Sequence, residues 1–459
     1  MDIQEKVQLQ RDFFNTHKTY SIEFRRQALI KLKDLLIKYR PQFDEAFKKD
    51  YNKCKFDVLS TEMLIVLEEC KYMIKHIKKL TKTHRVHTSL LNFPSHGYLM
   101  QEPYGVCLVM APWNYPLQLT LDPVFGAIAA GNTVVLKPAS YTKNISSVIN
   151  KLVEEFNNPG LLACVEGGRE QNQALLDQRF DYIFFTGGET VGRLVLEKAS
   201  VHLTPVVLEL GGKSPCIVNS DADIDLAARR VVWGKYLNAG QTCVAPDYIC
   251  VHKSIHDKFV STVIKYIQKF YYSNGKISDD FPHLINEKHF NKVTSFIDKE
   301  KVIFGGQSEG LLLHPTVMDH VTFEDKVMSE EIFGPIMPII EFDDLTKLLE
   351  KINSMPKPLA FYFFSKNKRL AKRVLLNSPF GGSCINETIM HLTNEKLPFG
   401  GVGRSGMGAY HGKKSFETFS HQKSVLCKGK LELMLKYPPY SEKKYRLVEI
   451  YARLKKVKK

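Results

Sequence analysis

Along residues 1–82, apolar side chains such as Phe24, Ala28, Leu29, Leu32, Leu35 and Leu36 recur at helical spacing between lysines and arginines, which predicts a helical segment. From 83 to 103 the periodicity fails and Pro94, Gly97 and Pro103 enter, so a connector and hairpin is predicted there. Short apolar runs at 106–110, 133–136, 163–166, 182–185 and 206–208 then alternate with helix-like stretches at 117–130, 145–156, 172–176 and 190–199. Strands alternating with helices imply a doubly wound parallel sheet that presents ligands at its carboxyl ends. The pattern restarts with a strand at 215–218, a helix at 223–237, a turn at Cys243 and a strand at 248–251. A second α/β domain is therefore predicted to run to about 390, followed by a glycine-rich segment at 399–408 and a polar strand near 424–433.

At 459 residues the chain exceeds what one core usually serves, and 44% apolar with 25% charged residues is ordinary for a globular enzyme. The net charge of +15 comes without any nucleic-acid-binding motif, so solvated helix faces account for it outside the tail. The nine cysteines are irregularly spaced and form no Cys-x-x-Cys pair, which points to a reducing, cytoplasmic setting rather than a disulfide framework. No secretory leader is read at 1–6, and the apolar stretch at 117–136 is broken by Asp122, Pro123, Gly126, Gly131 and Asn132, which argues against a bilayer span. The histidines show no HExxH or comparable spacing, and no metal is expected.

Three stretches carry chemistry. Asn238-Ala239-Gly240-Gln241-Thr242-Cys243 sets a thiol on a turn, Leu208-Glu209-Leu210-Gly211-Gly212-Lys213 sets a carboxylate at a strand end against two glycines, and Pro112-Trp113-Asn114-Tyr115-Pro116 fixes an amide between prolines. Nucleophile, base and hydrogen-bond donor are what acyl chemistry at a carbonyl requires. With Phe185-Thr186-Gly187-Gly188-Glu189-Thr190-Val191-Gly192 and Leu397-Pro398-Phe399-Gly400-Gly401-Val402-Gly403 in the same order, the chain resembles the aldehyde dehydrogenase superfamily over roughly 101–425. It looks closest to the class 3 branch of fatty and aromatic aldehyde enzymes.

The resemblance implies an α/β fold of two doubly wound Rossmann-like domains plus a small β bridging arm. Its expected division is a cofactor-binding domain at 1–207 with the hairpin near 83–103, a catalytic domain at 208–390, and a return segment, oligomerisation arm and basic tail at 391–459. It also implies NAD or NADP, an aldehyde substrate, a homodimer, and catalytic roles for Cys243 (nucleophile), Glu209 (base for thioester hydrolysis) and Asn114 (oxyanion donor). Cofactor contacts fall on Lys137, Ser140, Gly187, Gly188, Val191, Gly192, Glu331 and Phe333. Ser140 stands where the family has a ribose-binding carboxylate; a hydroxyl there does not repel a 2′-phosphate, so strict NAD preference is not expected. The Gly401-x-Gly403-x-x-Gly406 run follows no buried strand, and Gly212-Lys213-Ser214 lacks the first glycine of a phosphate loop, so neither reads as a nucleotide site.

Two rival functions stand beside this reading: a coenzyme-A-acylating dehydrogenase, disfavoured by Glu209, and a non-enzymatic scaffold on the same fold, disfavoured by the intact Asn114, Glu209 and Cys243. The tail, 441–459, places Leu447, Val448, Ile450, Tyr451, Leu454 and Val457 near one helical face. Around them stand Lys443, Lys444, Arg446, Arg453, Lys455, Lys456, Lys458 and Lys459. It reads either as a docked or solubilising end or as a peripheral contact with anionic lipid on the inner membrane face.

Overall fold

The computed structural model describes residues 1–89, 92–431 and 433–454. The chain forms two compact units, Met1–Leu80 with Pro103–His421, and Thr81–Glu102 with Gln422–Lys459.

The larger unit opens with helices Ile3–Asn15, Ile22–Lys38 and Arg40–Tyr51, a π-helical turn Leu59–Met63, and helix Leu64–Thr81. Asp2 and Glu5 form a capping box on the first and Ser21 caps the second, while Ala28, Leu29, Leu32, Leu35 and Leu36 go into the core as the spacing predicts. A six-stranded sheet follows, in the order Gly406–Met407, Val206–Glu209, Tyr182–Thr186, Val106–Met110, Thr133–Lys137, Leu162–Cys164. All its pairings are parallel except that of the Gly406–Met407 strand. The order reverses between Val106–Met110 and Tyr182–Thr186, and a doubly wound sheet binds ligands outside such a switch point. The residues following those two strands are the Ala111–Asn114 stretch and the Gly187-Gly188 pair.

A second sheet of seven strands runs Val302–Phe304, Thr316–Met318, Ile336–Phe342, Tyr248–His252, Pro215–Val218, Ala360–Phe364, Gly382–Ile385. It is parallel apart from its first edge strand. Its central strands are buried on both faces, with Ile217, Tyr248, Cys250, Phe361 and Phe363 all under 2% exposed, which is why they read as continuous apolar runs. The fold is thus α/β with two doubly wound sheets.

In the smaller unit, His84–Val86, Ser95–Pro103 and Ser420–Lys428 form a three-stranded sheet, with Lys423 and Glu102 paired at 2.8 Å. The last strand lies earlier than the 424–433 expected from its polar pattern: it begins at Ser420 and stops at Lys428, before Gly429, whose backbone freedom disfavours extension of the ladder. A terminal helix spans Glu442–Leu454. Among the tail residues named above, Lys455, Lys456, Val457, Lys458 and Lys459 lie outside the described residues. Among the described residues no helix is long and apolar enough to cross a membrane.

Candidate active site

Cys243 sits where helix Ile224–Tyr236 ends and the chain reverses through Asn238, Ala239 and Gly240, all at positive φ. A side chain at Gly240 would collide with the Gly334 carbonyl, so glycine is required twice over, by conformation and by space. Gln241 locks the turn: its Nε2 donates to the carbonyls of Asn238 and His283, each at 3.1 Å, and its Oε1 accepts the Ile285 N–H at 3.0 Å. The Asn114 stretch interlocks with it. Asn238 Nδ2 donates to the Asn114 carbonyl at 2.9 Å, Asn114 Nδ2 donates to the Gln241 carbonyl at 3.2 Å, and the Tyr115 and Thr242 hydroxyls bond at 2.7 Å. A primary amide carries two N–H groups, so one fixes the Asn114 side chain while the other is left for a ligand.

Beneath this stretch lies a buried support that the sequence reading passed over. Glu62, fully buried, accepts the N–H groups of Leu117 (3.2 Å) and Gln118 (2.8 Å) and faces the equally buried Lys53 ammonium at 3.5 Å. Lys53 Nζ also stands 4.7 Å over the Tyr115 ring. Burial pushes the Glu62 carboxyl up to about 7, against the downward pull of Lys53 and the two backbone donors. In a lysine-rich helical segment such residues read as solvated charge; no local motif marks them.

Cys243, Glu209 and Asn114 line one cavity of about 820 Å³ together with Gly187, Gly188, Glu331 and Phe333. Cys243 as a residue is half-buried. Burial first, then the neighbouring Glu331 and Glu209, pushes its pKa up to about 12, only partly offset by the backbone N–H groups of Cys243 and Val244. Glu209 ends its strand 3% exposed with no hydrogen-bond partner on either carboxyl oxygen, and burial raises its pKa well above the carboxylate range. Burial, and then Asp247, lifts Glu331 up to about 8, while the Gly212 N–H lowers it. A side chain at Gly211 would collide with the Glu331 carboxylate, and one at Gly212 would press on the backbone of Pro358 and Leu359, so the pair admits a carboxylate and a neighbouring chain segment.

The other end of the cavity is the turn Thr186-Gly187-Gly188 before helix Glu189–Ser200. No side chain caps this helix, nothing lies within 4 Å of the Cβ direction of Gly188, and the buried Thr186 hydroxyl has no partner. Exposed backbone donors at a helix start beside orphaned polar atoms form a cradle for a pyrophosphate, so the residues fit a dinucleotide. Glu189, in the first turn, is neutralised by Arg193 at 2.6 Å and Arg404 at 2.8 Å. Phe333 is held at positive φ, its carbonyl accepting from His289 Nε2 at 2.8 Å and its ring against Trp113 at 5.3 Å. His289, like Glu62, carried no sequence signal. Four expected cofactor residues do not line the cavity. Lys137 is buried with its ammonium on the Pro138 carbonyl at 2.8 Å and its pKa lowered by desolvation to about 8. Ser140 is exposed beyond the same strand, Val191 is 40% exposed, and Gly192 lets the helix pack on Leu210. The Gly401–Gly406 glycines serve packing: a side chain at Gly406 would collide with the Leu208 carbonyl of the strand that carries Glu209.

A thiol, a buried carboxyl and a fixed amide line one cavity that reaches an uncapped helix start, an arrangement that fits covalent acyl chemistry beside a dinucleotide. The aldehyde dehydrogenase family profile matches residues 1–425, and the chain belongs to that family. It is 45% identical to a 4,4'-diaponeurosporen-aldehyde dehydrogenase of Staphylococcus aureus, covering 96% of this chain and 97% of that one. It is 42% identical to aldehyde dehydrogenase family 3 member A2 of Rattus norvegicus, over 96% and 92% of the two chains. The solved substrate-bound state of Staphylococcus aureus AldH superposes with a TM-score of 0.95 at 43% identity, covering 98% of this chain and 100% of that one. The family oxidises aldehydes to acids with NAD or NADP through a catalytic cysteine.

Proposed function

We propose that this enzyme oxidises a medium- or long-chain aliphatic or an aromatic aldehyde, with Cys243 as nucleophile, Glu209 as base and Asn114 as oxyanion donor. The observation that carries the reading is the convergence of a cysteine thiol, an unpartnered buried carboxyl and an interlocked amide on one cavity. The substrate class is supported by the breadth of that cavity and by its apolar walls, Leu119, Trp233, Leu237, Ile389 and Leu392 among them.

The Cys243 proton passes to a base in the cavity, the role given to Glu209, and the thiolate adds to the aldehyde carbon to form a thiohemiacetal. The Asn114 side chain and the Cys243 backbone N–H receive the oxyanion, and loss of hydride leaves a thioester. Water deprotonated by Glu209 cleaves the thioester, releasing the carboxylic acid and the thiol. NAD or NADP, when bound, supplies the hydride acceptor, so aldehyde, water and oxidised cofactor give acid, reduced cofactor and a proton. Gly187 and Gly188 would hold its pyrophosphate, with Val191 and Gly192 in the helix behind them, and Glu331 and Phe333 would meet its riboses; Lys137 and Ser140, which lie off the cavity, would have to turn toward a ribose to join them, with 1–207 as cofactor-binding and 208–390 as catalytic domain. Without a carboxylate at Ser140, NADP is accepted beside NAD.

A homodimer follows from the family likeness, with 391–459 supplying the arm. Cytoplasmic placement rests on the cysteine usage, and peripheral lipid contact is supported by the terminal helix, where Tyr445, Leu447, Val448 and Ile450 are 63%, 49%, 46% and 55% exposed among basic residues. The direct test is a panel of short, aromatic and long-chain aldehydes assayed with both cofactors. Long-chain or aromatic substrates should give the highest kcat/KM, and absence of reduced cofactor throughout would overturn the proposal.

A further inference from the structure

Strands Tyr248–His252 and Thr316–Met318 are parallel members of the seven-stranded sheet, and their carboxyl ends lead into His256 and into Asp319-His320. Among the described residues, His256, Asp319 and His320 are the one group of three potential metal ligands, their donor atoms all within 4.8 Å of one another. His256 Nε2 lies 2.9 Å from Asp319 Oδ1, and His320 Nε2 lies 3.8 Å from Asp319 Oδ2. None of the three lines the aldehyde cavity.

We propose that His256, Asp319 and His320 form a site for a divalent transition-metal ion, zinc being the chemical type, that clamps the end of the Thr316–Met318 strand to the start of helix His256–Tyr271. Two imidazoles and a carboxylate, with water as fourth ligand, are a donor set that zinc takes tetrahedrally. Bonds of about 2.0–2.1 Å separate tetrahedral ligand atoms by roughly 3.3 Å. One donor atom from each residue lies within 4.8 Å of the other two, so side-chain rotations that draw the three together toward that spacing admit the ion. The outer shell is also built. His256 Nδ1 bonds Asp257 Oδ1 at 2.9 Å, the carboxylate–histidine arrangement that turns the other nitrogen toward a metal. Asp319 Oδ1 is oriented by the His320 N–H at 2.8 Å. His320 has positive φ, and its ring stacks 5.6 Å from that of His256. His256 and Asp319 stand 63 residues apart, which is why no motif shows the site.

Calorimetric titration of zinc chloride into untagged, metal-stripped full-length enzyme tests it. Wild type should bind one saturable equivalent and melt at higher temperature with zinc. His320→Ala, at a side chain 77% exposed, should weaken binding by at least about tenfold and abolish the shift while keeping dehydrogenase turnover, which reports that it is folded. Cys243→Ala should bind zinc as wild type does, separating this site from the catalytic thiol. Absence of saturable binding in wild type, or equal affinity in His320→Ala, would overturn the proposal and leave His256 as a simple ion-pair brace to Asp319.

Discussion

Replacing Glu62 by alanine removes a carboxylate that touches no substrate, yet it should impair both stability and turnover. The change orphans the buried N–H groups of Leu117 and Gln118, which lie 3.2 and 2.8 Å from the carboxylate, and strands the Lys53 ammonium, 1% exposed, without its counter-charge. Removing one partner of a buried pair costs about 3–5 kcal/mol, and each orphaned N–H accounts for roughly 1–3 kcal/mol of such a loss. The damage is transmitted, because Lys53 packs on Tyr115 and Tyr115 bonds Thr242, next to Cys243. A displacement near 1 Å at reacting groups costs on the order of 100-fold in rate, so kcat should fall by about that factor while the cofactor KM changes little. Glu62→Gln keeps an acceptor oxygen and should be milder. Lys53→Met combined with Glu62→Gln removes the unpaired charge and should recover most of the thermal-inactivation midpoint. Steady-state kinetics and thermal inactivation of the three variants provide the assay. Wild-type kcat and midpoint in Glu62→Ala would refute the idea that this pair supports the Asn114 stretch.

Iodoacetamide should alkylate Cys243 of the free enzyme slowly at neutral pH, with the rate rising about tenfold per unit between pH 8 and 10, because a thiol at about 12 is almost wholly protonated there. A plateau near pH 8.5 would contradict that environment. Wild type should use NADP within roughly tenfold of NAD in kcat/KM, a difference of only about 1.4 kcal/mol, and Ser140→Glu should turn the preference to NAD; rejection of NADP by wild type would refute the reading. A chain ending at Tyr440 should lose most low-salt binding to anionic vesicles in co-sedimentation; equal binding, or none by either form, would remove the tail from the account.

The fold was legible because strands buried on both faces announce themselves as apolar runs: 106–110 and 215–218 coincide with Val106–Met110 and Pro215–Val218. Polar element ends were less visible. The helix read at 172–176 starts at Arg169, because its first turn is polar and lies outside the apolar period. The motifs pointed to Cys243, Glu209 and Asn114, and the cavity gathers them because the three stretches end strands or helices on its rim. What holds them is long-range and polar. Glu62 lies 55 positions from Leu117, and His289 lies 44 from Phe333, so neither pairing leaves a local pattern. What approaches the glycines, Glu331 at Gly211 and Gly334 at Gly240, is decided by tertiary packing and leaves no local pattern.

Rapid-mixing measurement of reduced cofactor from Glu209→Gln tests the central claim, covalent capture by Cys243 followed by Glu209-dependent hydrolysis. The account predicts a burst approaching one equivalent per subunit followed by steady-state turnover at least about 100-fold below wild type, because acylation and deacylation are separate steps. Wild-type steady-state turnover in this variant, or slow turnover with no burst, would contradict it.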